Sequence, residues 1–200
     1  MSWKRLLVFS ACAMGVFSSS AQIILAVPLS PIPKGTISIQ LQTVATGLGA
    51  PDYGISPPGD TSRLFVVDQG GLLRVIQNGS LLPGAALNIQ NLVQVAPVGT
   101  GPLNPANAND ERGLLGIAFH PQFNTPGTPG YQTLYTYTSE PIPVGSTPTY
   151  VAPNNAVQNY QNQITEWKIG AASPNVVDPA SRRVLISLGK NAGNHNGGTI

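Results

Sequence analysis

A weak internal repeat of short strand-like segments is the feature that most constrains the fold of this chain. An apolar segment ending at Gly54-Ile55-Ser56-Pro57 is followed by a loop and by the β-branched run Arg63–Asp68. The same order returns downstream, where a glycine-containing apolar segment ends at His120-Pro121 and precedes Thr133-Leu134-Tyr135-Thr136-Tyr137. Short runs rich in β-branched and aromatic residues are typical of strands. The repeat therefore predicts an all-β protein built from antiparallel meanders.

Turn residues separate the strand-like segments. Gln69-Gly70-Gly71 follows the first β-branched run, and Asn78-Gly79 follows the returning run Leu72–Gln77. Asn-Gly is favoured in two-residue hairpin turns because both residues tolerate a positive φ. Further strands are predicted at 113–119, 133–138, 163–169 and 183–188. No segment after the N-terminus predicts a helix.

The composition fits an all-β prediction and excludes other classes. The chain has 22 glycines and 19 prolines among 200 residues, and only 9% of its residues are charged. Sequences of this kind are typical of β proteins with many loops. A hydrophobic content of 42% and a small net charge argue against disorder. The charge balance lacks the basic footprint that nucleic-acid binding requires, so no nucleic-acid partner is expected.

A β-sandwich and a β-propeller are both compatible with these strands, and the repeat favours the propeller. A propeller has at least about four blades of roughly 40–50 residues, each a four-stranded meander. The chain then accounts for about two blades and, at Thr199-Ile200, the start of a third. We expect residues 41–200 to form an incomplete propeller, either as a fragment of a larger protein or as a truncated product.

The N-terminus has the pattern of a secretory signal peptide. Lys4-Arg5 precede a short apolar run at 6–17, and Ser19-Ser20-Ala21 supply small residues for cleavage. The apolar run is too short to span a membrane comfortably, and no later segment approaches that length. We expect export to the periplasm or the extracellular space after removal of residues 1–21, followed by a Pro-rich linker at 22–40. Cleavage also removes the only cysteine, Cys12.

The segment Gly193-Asn194-His195-Asn196-Gly197-Gly198 carries the strongest candidate for chemistry. It holds His195, one of only two histidines, among glycines and small amides. Imidazole is the usual side chain for moving protons near neutral pH. Neighbouring glycines allow a ligand to approach the backbone closely. The simpler interpretation is a loop histidine that makes one structural hydrogen bond.

Three segments, taken in order, resemble the glucose/sorbosone dehydrogenase family. They are FVVDQGGLLRV at 65–75, DERGLLGIAFHPQF at 110–123 and NHNGG at 194–198. The first resembles the family's first blade, the second a hallmark stretch, and the third its catalytic-histidine segment. The resemblance covers about residues 42–200. It implies an exported quinoprotein with a six-bladed β-propeller and pyrroloquinoline quinone.

The resemblance also implies a reaction and assigns roles to three residues. The family oxidises a sugar, an aldose or a sorbosone-like compound, by hydride transfer to the quinone, and passes electrons to an external acceptor. His195 falls on the position of the general base that takes the proton of the sugar hydroxyl. Glu111 falls where the family places a polar residue facing the substrate, and Asn194 where some members carry aspartate. We expect Glu111 and Asn194 to bind the sugar.

The cofactor site implied by the resemblance lies outside this chain. The family's basic contacts to the quinone carboxylates, its calcium ligands and the carboxylate that orients the histidine belong to later blades. We therefore expect these residues beyond residue 200 and predict neither a quinone contact nor a metal ligand within the chain. The 200 residues alone are expected to be inactive.

Several other residues have structural interpretations. Glu111 also has simpler ones, an ion pair with the adjacent Arg112 or plain exposure to solvent. His120 precedes a proline at the far end of its strand and is expected to be structural, and Asp68-Gln69-Gly70-Gly71 is expected to be a turn, since one acidic residue does not make a calcium loop. Packing between blades is the simplest role for three aromatic residues, Tyr135, Tyr137 and Trp167.

The sequence leaves three functions open. The first is an exported sugar dehydrogenase. The second is a non-catalytic secreted propeller that binds a carbohydrate or a protein partner. The third is an inactive truncated product.

Overall fold

The computed structural model describes residues 35–36, 38–93, 110–151 and 158–200. The chain divides into two compact units, Met1–Leu41 and Gln42–Ile200. In the first unit the few described residues form neither helix nor strand. The predicted signal peptide, 1–21, and most of the predicted linker, 22–40, lie outside the described residues. Within the described ranges no helix is long and apolar enough to cross a membrane.

The second unit contains two antiparallel sheets that follow each other along the chain. The first sheet has strand order β1-β2-β3-β4, and β5 also pairs with β3. Its strands are β1 (Pro51–Ile55), β2 (Arg63–Asp68), β3 (Leu72–Gln77), β4 (Ser80–Leu81) and β5 (Leu87–Asn88). Because β4 and β5 pair with opposite ends of β3, they form one outer strand that is interrupted in the middle.

The second sheet has strand order β6-β7-β8-β9. Its strands are β6 (Leu114–Phe119), β7 (Thr133–Glu140), β8 (Tyr160–Ile169) and β9 (Val177–Lys190). Both sheets are thus meanders with the same strand order, and the repeat seen in the sequence aligns β1-β2 with β6-β7. The prediction of an all-β chain of repeated antiparallel meanders is confirmed, and the described residues contain no helix.

Local sequence explains the hairpin at the end of the first sheet. Asn78 and Gly79 have φ values of 49° and 77°. Two successive positive φ values define the tight turn whose twist matches that of paired strands. The turn sets the pairing of Gln77 with Ser80 and of Ile76 with Leu81. The predicted Asn-Gly hairpin is confirmed.

The two sheets share one hydrophobic core. Phe65 on β2 and Phe119 on β6 make an edge-to-face contact with ring centroids 5.1 Å apart, and Phe123 continues the stack at 4.7 Å. Trp167 and Leu134 extend this core into the second sheet, and both are buried. Aromatic pairs of this geometry add to the stabilisation from buried area. Trp167 therefore has the packing role predicted for it.

Backbone contacts lock the sheets together where β2 ends and β6 begins. The N–H of Leu114 donates to the carbonyl oxygen of Gln69 at 2.9 Å. The intervening Gly113 has a φ of 142°, and a Cβ placed on it would lie 2.2 Å from that same oxygen. Only glycine fits here, since any side chain would push the two sheets apart. The predicted turn after Asp68 is confirmed, and it provides this junction.

The C-terminal strand prediction is wrong. Thr199-Ile200, expected to open the first strand of a third blade, lies in irregular structure, as do all residues from 191 onward. In the described structure no neighbouring strand pairs with this segment, and side-chain hydrogen bonds hold it instead. The last two strands of the second sheet also begin earlier than predicted, at Tyr160 and Val177.

Candidate functional site

The candidate site is the His195 loop, residues 191–198, which follows β9 directly. His195 has a φ of 57°, the left-handed region that a residue with a side chain seldom adopts. Such a conformation persists when surrounding contacts hold it, and it is often found at functional sites. The contacts of this loop therefore show what keeps His195 in place.

Asn196 is the buried centre of the His195 loop, with only 4% of its surface exposed. Its Nδ2 donates to the carbonyl oxygen of Gly193 at 3.0 Å, which closes the loop on itself. Its Oδ1 lies 2.6 Å from the hydroxyl of Tyr160 and 3.3 Å from Nδ2 of Asn162. Its backbone carbonyl oxygen accepts the hydroxyl of Tyr137 at 2.7 Å. Strands β7 and β8 thus hold the loop through one residue.

The hydrogen-bond donors around Asn196 are two tyrosine hydroxyls that stay protonated and one asparagine amide with a fixed orientation. Burial raises the pKa of the Tyr160 and Tyr137 hydroxyls above their ordinary value, so both remain donors at neutral pH. Tyr160 has one hydroxyl hydrogen and two acceptors in reach, Asn196 Oδ1 and the carbonyl oxygen of Ala192, and both belong to the loop. Ser139 donates to Oδ1 of Asn162 at 2.8 Å, which orients that amide toward Asn196.

Glu111 holds the same loop from the segment that precedes β6. Its Oε2 accepts the backbone N–H of His195. The carbonyl oxygen of His195 accepts Nζ of Lys190 at 2.9 Å, so both backbone polar groups of the histidine are bonded. Residues 84 positions apart in the sequence therefore meet at one point. The structure brings Glu111 and His195 together, through the backbone of the histidine.

The expected alternative for Glu111, an ion pair with Arg112, is not formed. Arg112 instead pairs with Asp110 at 3.0 Å, and both side chains are buried. The guanidinium also lies over the ring of Tyr160, 5.3 Å from its centroid. Because Arg112 forms its ion pair with Asp110, it does not pair with Glu111. The carboxylate of Glu111 binds the His195 loop instead.

Two glycines bring the loop against β6. A Cβ on Gly116 would lie 1.8 Å from the carbonyl oxygen of Gly198, so any side chain at that position would displace the loop. Glycine is the residue that permits such a close backbone approach within a strand. The loop is therefore positioned by β6 as well as by β7 and β8.

A polar cavity of about 310 Å³ lies beside the loop. It is lined by residues of both sheets and of the loop: Asp52, Gln69, Asp110, Glu111, Leu115, Asn196 and Gly197. Gln69 uses its Nε2 to donate to the carbonyl oxygens of Asp110 and Arg112, at 2.6 and 2.9 Å, so its Oε1 remains for the cavity. The cavity is consequently rich in acceptors and suits a ligand that carries several hydroxyl donors.

The three predicted site residues occupy different positions relative to this cavity. Glu111 lines it, whereas His195 and Asn194 do not. Both of the latter are exposed. The His195 imidazole makes no hydrogen bond to any described residue, and the same holds for the Asn194 amide. His120, the other histidine, accepts the backbone N–H of Gln122 on its Nδ1 at 3.0 Å, at the opposite end of β6 from Glu111.

Sequence reasoning missed the residues that build the site. The sequence indicates only that Asn196 is a small amide near the histidine, and it predicts packing between blades for Tyr137, whereas the Tyr137 hydroxyl binds the loop. Tyr160 and Asn162 lie two residues apart at the start of β8, so their side chains are on the same face of the strand. A buried Tyr-x-Asn pair at a strand end was the available signal, but its partner lies more than 30 residues away.

The described residues do not fit the quinone and calcium that the family resemblance implies. Quinone carboxylates need cationic partners, but the cavity carries the carboxylates of Asp52 and Glu111, while the nearby Arg112 is bonded to Asp110. Among the described residues, no arginine or lysine lines the cavity. Over the described ranges, no group of three or more His, Cys, Asp or Glu side chains is arranged to hold a metal ion. That both sites lie beyond residue 200 stays a prediction.

Comparison with known proteins gives a likeness of sequence. No family model matches the chain. Over 161 residues, 80% of its length, the chain is 26% identical to the Hedgehog-interacting proteins of Mus musculus and Homo sapiens. The matched region is 20% of each of those proteins. The chain thus spans about a fifth of the length of these curated relatives.

Comparison of structures gives a likeness of fold. A crystal structure of glucose dehydrogenase superimposes with a TM-score of 0.51 and 18% sequence identity, covering 78% of this chain and 36% of that one. The chain has the fold of part of a glucose dehydrogenase. The resemblance drawn from the three sequence motifs is therefore confirmed at the level of the fold.

Proposed function

We propose that this chain is the N-terminal part of an exported sugar dehydrogenase, with His195 as its general base. The observation that carries the proposal is the backbone of His195. It is held in a left-handed conformation by Glu111, Lys190 and the bonds of Asn196, while its imidazole makes no hydrogen bond to any described residue. A firmly held loop whose imidazole is bonded to none of the described residues suits a residue that handles protons. The fold of glucose dehydrogenase supports the same assignment.

The proposed chemistry assigns one step to this chain. His195 takes the proton from the hydroxyl on the carbon that is oxidised, which makes loss of hydride from that carbon easier. No described residue supplies the hydride acceptor, so the second half of the reaction belongs to groups outside the described residues. A cavity of acceptors next to the loop favours a neutral, polyhydroxylated substrate.

Glu111 and Asn194 are proposed to bind that substrate. One carboxylate oxygen of Glu111, Oε2, is used on the backbone of His195, while Oε1 remains for a sugar hydroxyl. Asn194 is exposed beside the histidine, and its amide can both donate to and accept from hydroxyls.

The finer features of the protein belong to the same proposal. They are a six-bladed propeller of which this chain forms about two blades, export with a signal peptide at 1–21, and pyrroloquinoline quinone with calcium held by residues beyond 200. The likeness of fold and the share of the glucose dehydrogenase chain that is covered, 36%, support a longer parent protein. Reading the gene beyond codon 200 tests this directly, because a stop codon there would favour the truncated product.

An activity assay of the full-length protein tests the enzymatic proposal. The protein is reconstituted with pyrroloquinoline quinone and calcium and is given aldoses, sorbosone and an artificial electron acceptor. We expect sugar-dependent reduction of the acceptor and its loss in His195→Ala. An absence of turnover with every sugar in the fully loaded protein would contradict the proposal.

A second candidate function is binding of a protein partner without catalysis. It is supported by the 26% identity to Hedgehog-interacting proteins, whose name describes binding rather than an enzyme. The two candidates separate in one experiment. A binding propeller would retain its partner in His195→Ala and would turn over no sugar, whereas the dehydrogenase would lose turnover in that variant.

A further inference from the structure

The most heavily bonded residue of the His195 loop is not the histidine but its neighbour. Asn196 is buried and is contacted by β7 through Tyr137 and by β8 through Tyr160 and Asn162. We propose that Asn196 is the positioning residue of His195, and that Glu111 completes the clamp on the N-terminal side of the histidine. This inference rests on the proposed function of His195.

The geometry of the backbone explains how such a clamp would aim the imidazole. Glu111 binds the N–H of His195, and Lys190 binds its carbonyl oxygen. Tyr137 binds the carbonyl oxygen of the next residue, Asn196. With the backbone fixed on both sides, only the two side-chain torsions of the histidine remain, and these occupy few rotamers. The left-handed φ of 57° is then maintained by bonds that the histidine side chain does not make.

The bonds of Asn196 are those that an asparagine alone can make here. Its Nδ2 donates to the Gly193 carbonyl oxygen while its Oδ1 accepts from Tyr160. An aspartate would place an oxygen against the Gly193 carbonyl oxygen. An alanine would leave the Gly193 carbonyl oxygen and the Tyr160 hydroxyl without this partner. The amide therefore links the loop to itself and to β8 at the same time.

The chain offers matched variants that remove single hydroxyl groups from the clamp. Tyr137→Phe and Tyr160→Phe each delete one donor to Asn196 and keep the aromatic ring. Tyr135→Phe is the control, because Tyr135 lies on the same strand and face as Tyr137 and its hydroxyl bonds to no described residue. Glu111→Ala removes the acceptor for the His195 N–H, whereas Glu111→Gln retains an acceptor oxygen.

Amide hydrogen exchange of residues 191–198 in the full-length protein tests the clamp without any need for activity. We expect exchange in this segment to be about tenfold faster or more in Glu111→Ala and in the double variant of Tyr137→Phe and Tyr160→Phe. Exchange should stay at the wild-type rate in Tyr135→Phe and return close to it in Glu111→Gln. Unchanged exchange in both clamp variants would overturn the proposal.

Steady-state kinetics of the reconstituted enzyme separate positioning from general stability. The Tyr137→Phe and Tyr160→Phe variants should lose about tenfold in kcat with little change in KM at a temperature where they and Tyr135→Phe remain fully folded. A loss of kcat only in proportion to a lower Tm would overturn the positioning role. If the wild-type protein turns over no sugar, the proposed function fails, and the exchange measurement still decides whether the clamp exists.

Discussion

The two sheets have the same strand order and use their buried residues differently. In the first sheet the buried positions of β2 and β3 are almost all apolar, and most of them belong to the shared core. In the second sheet the strands are longer and bury polar side chains as well, at Thr136, Ser139 and Asn162. One end of this sheet joins the core through Trp167, and the other end holds the His195 loop through Tyr160. A repeated meander can therefore supply packing in one copy and a site in the next.

The largest expected effect comes from the core that both sheets share. Phe119→Ala removes a ring that contacts Phe65 and Phe123, and we expect it to lower the free energy of unfolding by about 3–5 kcal/mol. Chemical denaturation followed by tryptophan fluorescence measures this, since Trp167 lies in the same core. Phe119→Leu is the control and should cost less because it leaves a smaller cavity. Wild-type stability in Phe119→Ala would show that the sheets do not depend on this ring.

A smaller and more local effect is expected in the polar half of the second sheet. Asn196→Ala removes the amide that joins the loop to Tyr160 and should lower the free energy of unfolding by about 1–2 kcal/mol. The exposed neighbour Asn194 provides the control, and Asn194→Ala should change stability by less than about 0.5 kcal/mol. Thermal unfolding compares the two. A loss in Asn196→Ala as large as that in Phe119→Ala would mean that the loop belongs to the core, and the contrast between the two halves would fail.

The smallest effect concerns a polar link between the sheets that depends on pH. Burial opposes ionisation of Asp60, but hydrogen bonds from Ser62 and Arg63 outweigh it and lower the pKa of Asp60 to about 2. Arg63 also donates to the carbonyl oxygen of Pro174, in the turn between β8 and β9 of the second sheet, at 2.7 Å. Since the folded pKa lies below the ordinary value of 3.8, the ionised carboxylate stabilises the fold above about pH 4, and this stabilisation is lost as the pH falls toward 2.

Denaturation midpoints of the wild type and of Asp60→Asn measure this link. At pH 7 we expect the variant to be less stable by about 1 kcal/mol or less, because solvent screens the pair. The difference should shrink as the pH falls from 4 toward 2. A difference that stays constant over this range would show that the carboxylate charge does not stabilise the fold.

Local signals in the sequence predicted the first sheet well and the second sheet in part. Strands β2 and β3 have the predicted bounds because β-branched runs and an Asn-Gly turn determine them locally. Strands β8 and β9 extend beyond the predicted segments since their added ends, such as Tyr160-Gln161-Asn162, are polar. Pairing of β8 with β7 and of β9 with β8 stabilises those ends, and an apolar pattern cannot reveal it.

The site was predicted as a set of residues but not as an arrangement. The family resemblance singled out His195 and Glu111, and the structure brings them together. That Glu111 binds the histidine backbone, and that Asn196 anchors the loop, depends on contacts between residues more than 30 positions apart. Contacts of this kind produce no periodic pattern in a single sequence. An asparagine between a histidine and two glycines is also typical of an exposed loop, so the sequence does not indicate that Asn196 is buried.

The role of His195 as a base is tested most directly by a matched pair of histidine variants. In His195→Asn and in His120→Asn the amide replaces each imidazole, and in the second case its oxygen can still accept the N–H of Gln122. The measurement is kcat of the reconstituted full-length protein with its best sugar. We expect His195→Asn to lose about 10²–10⁴-fold in kcat and His120→Asn to keep wild-type turnover. Wild-type turnover in His195→Asn, or an equal loss in both variants, would contradict the account.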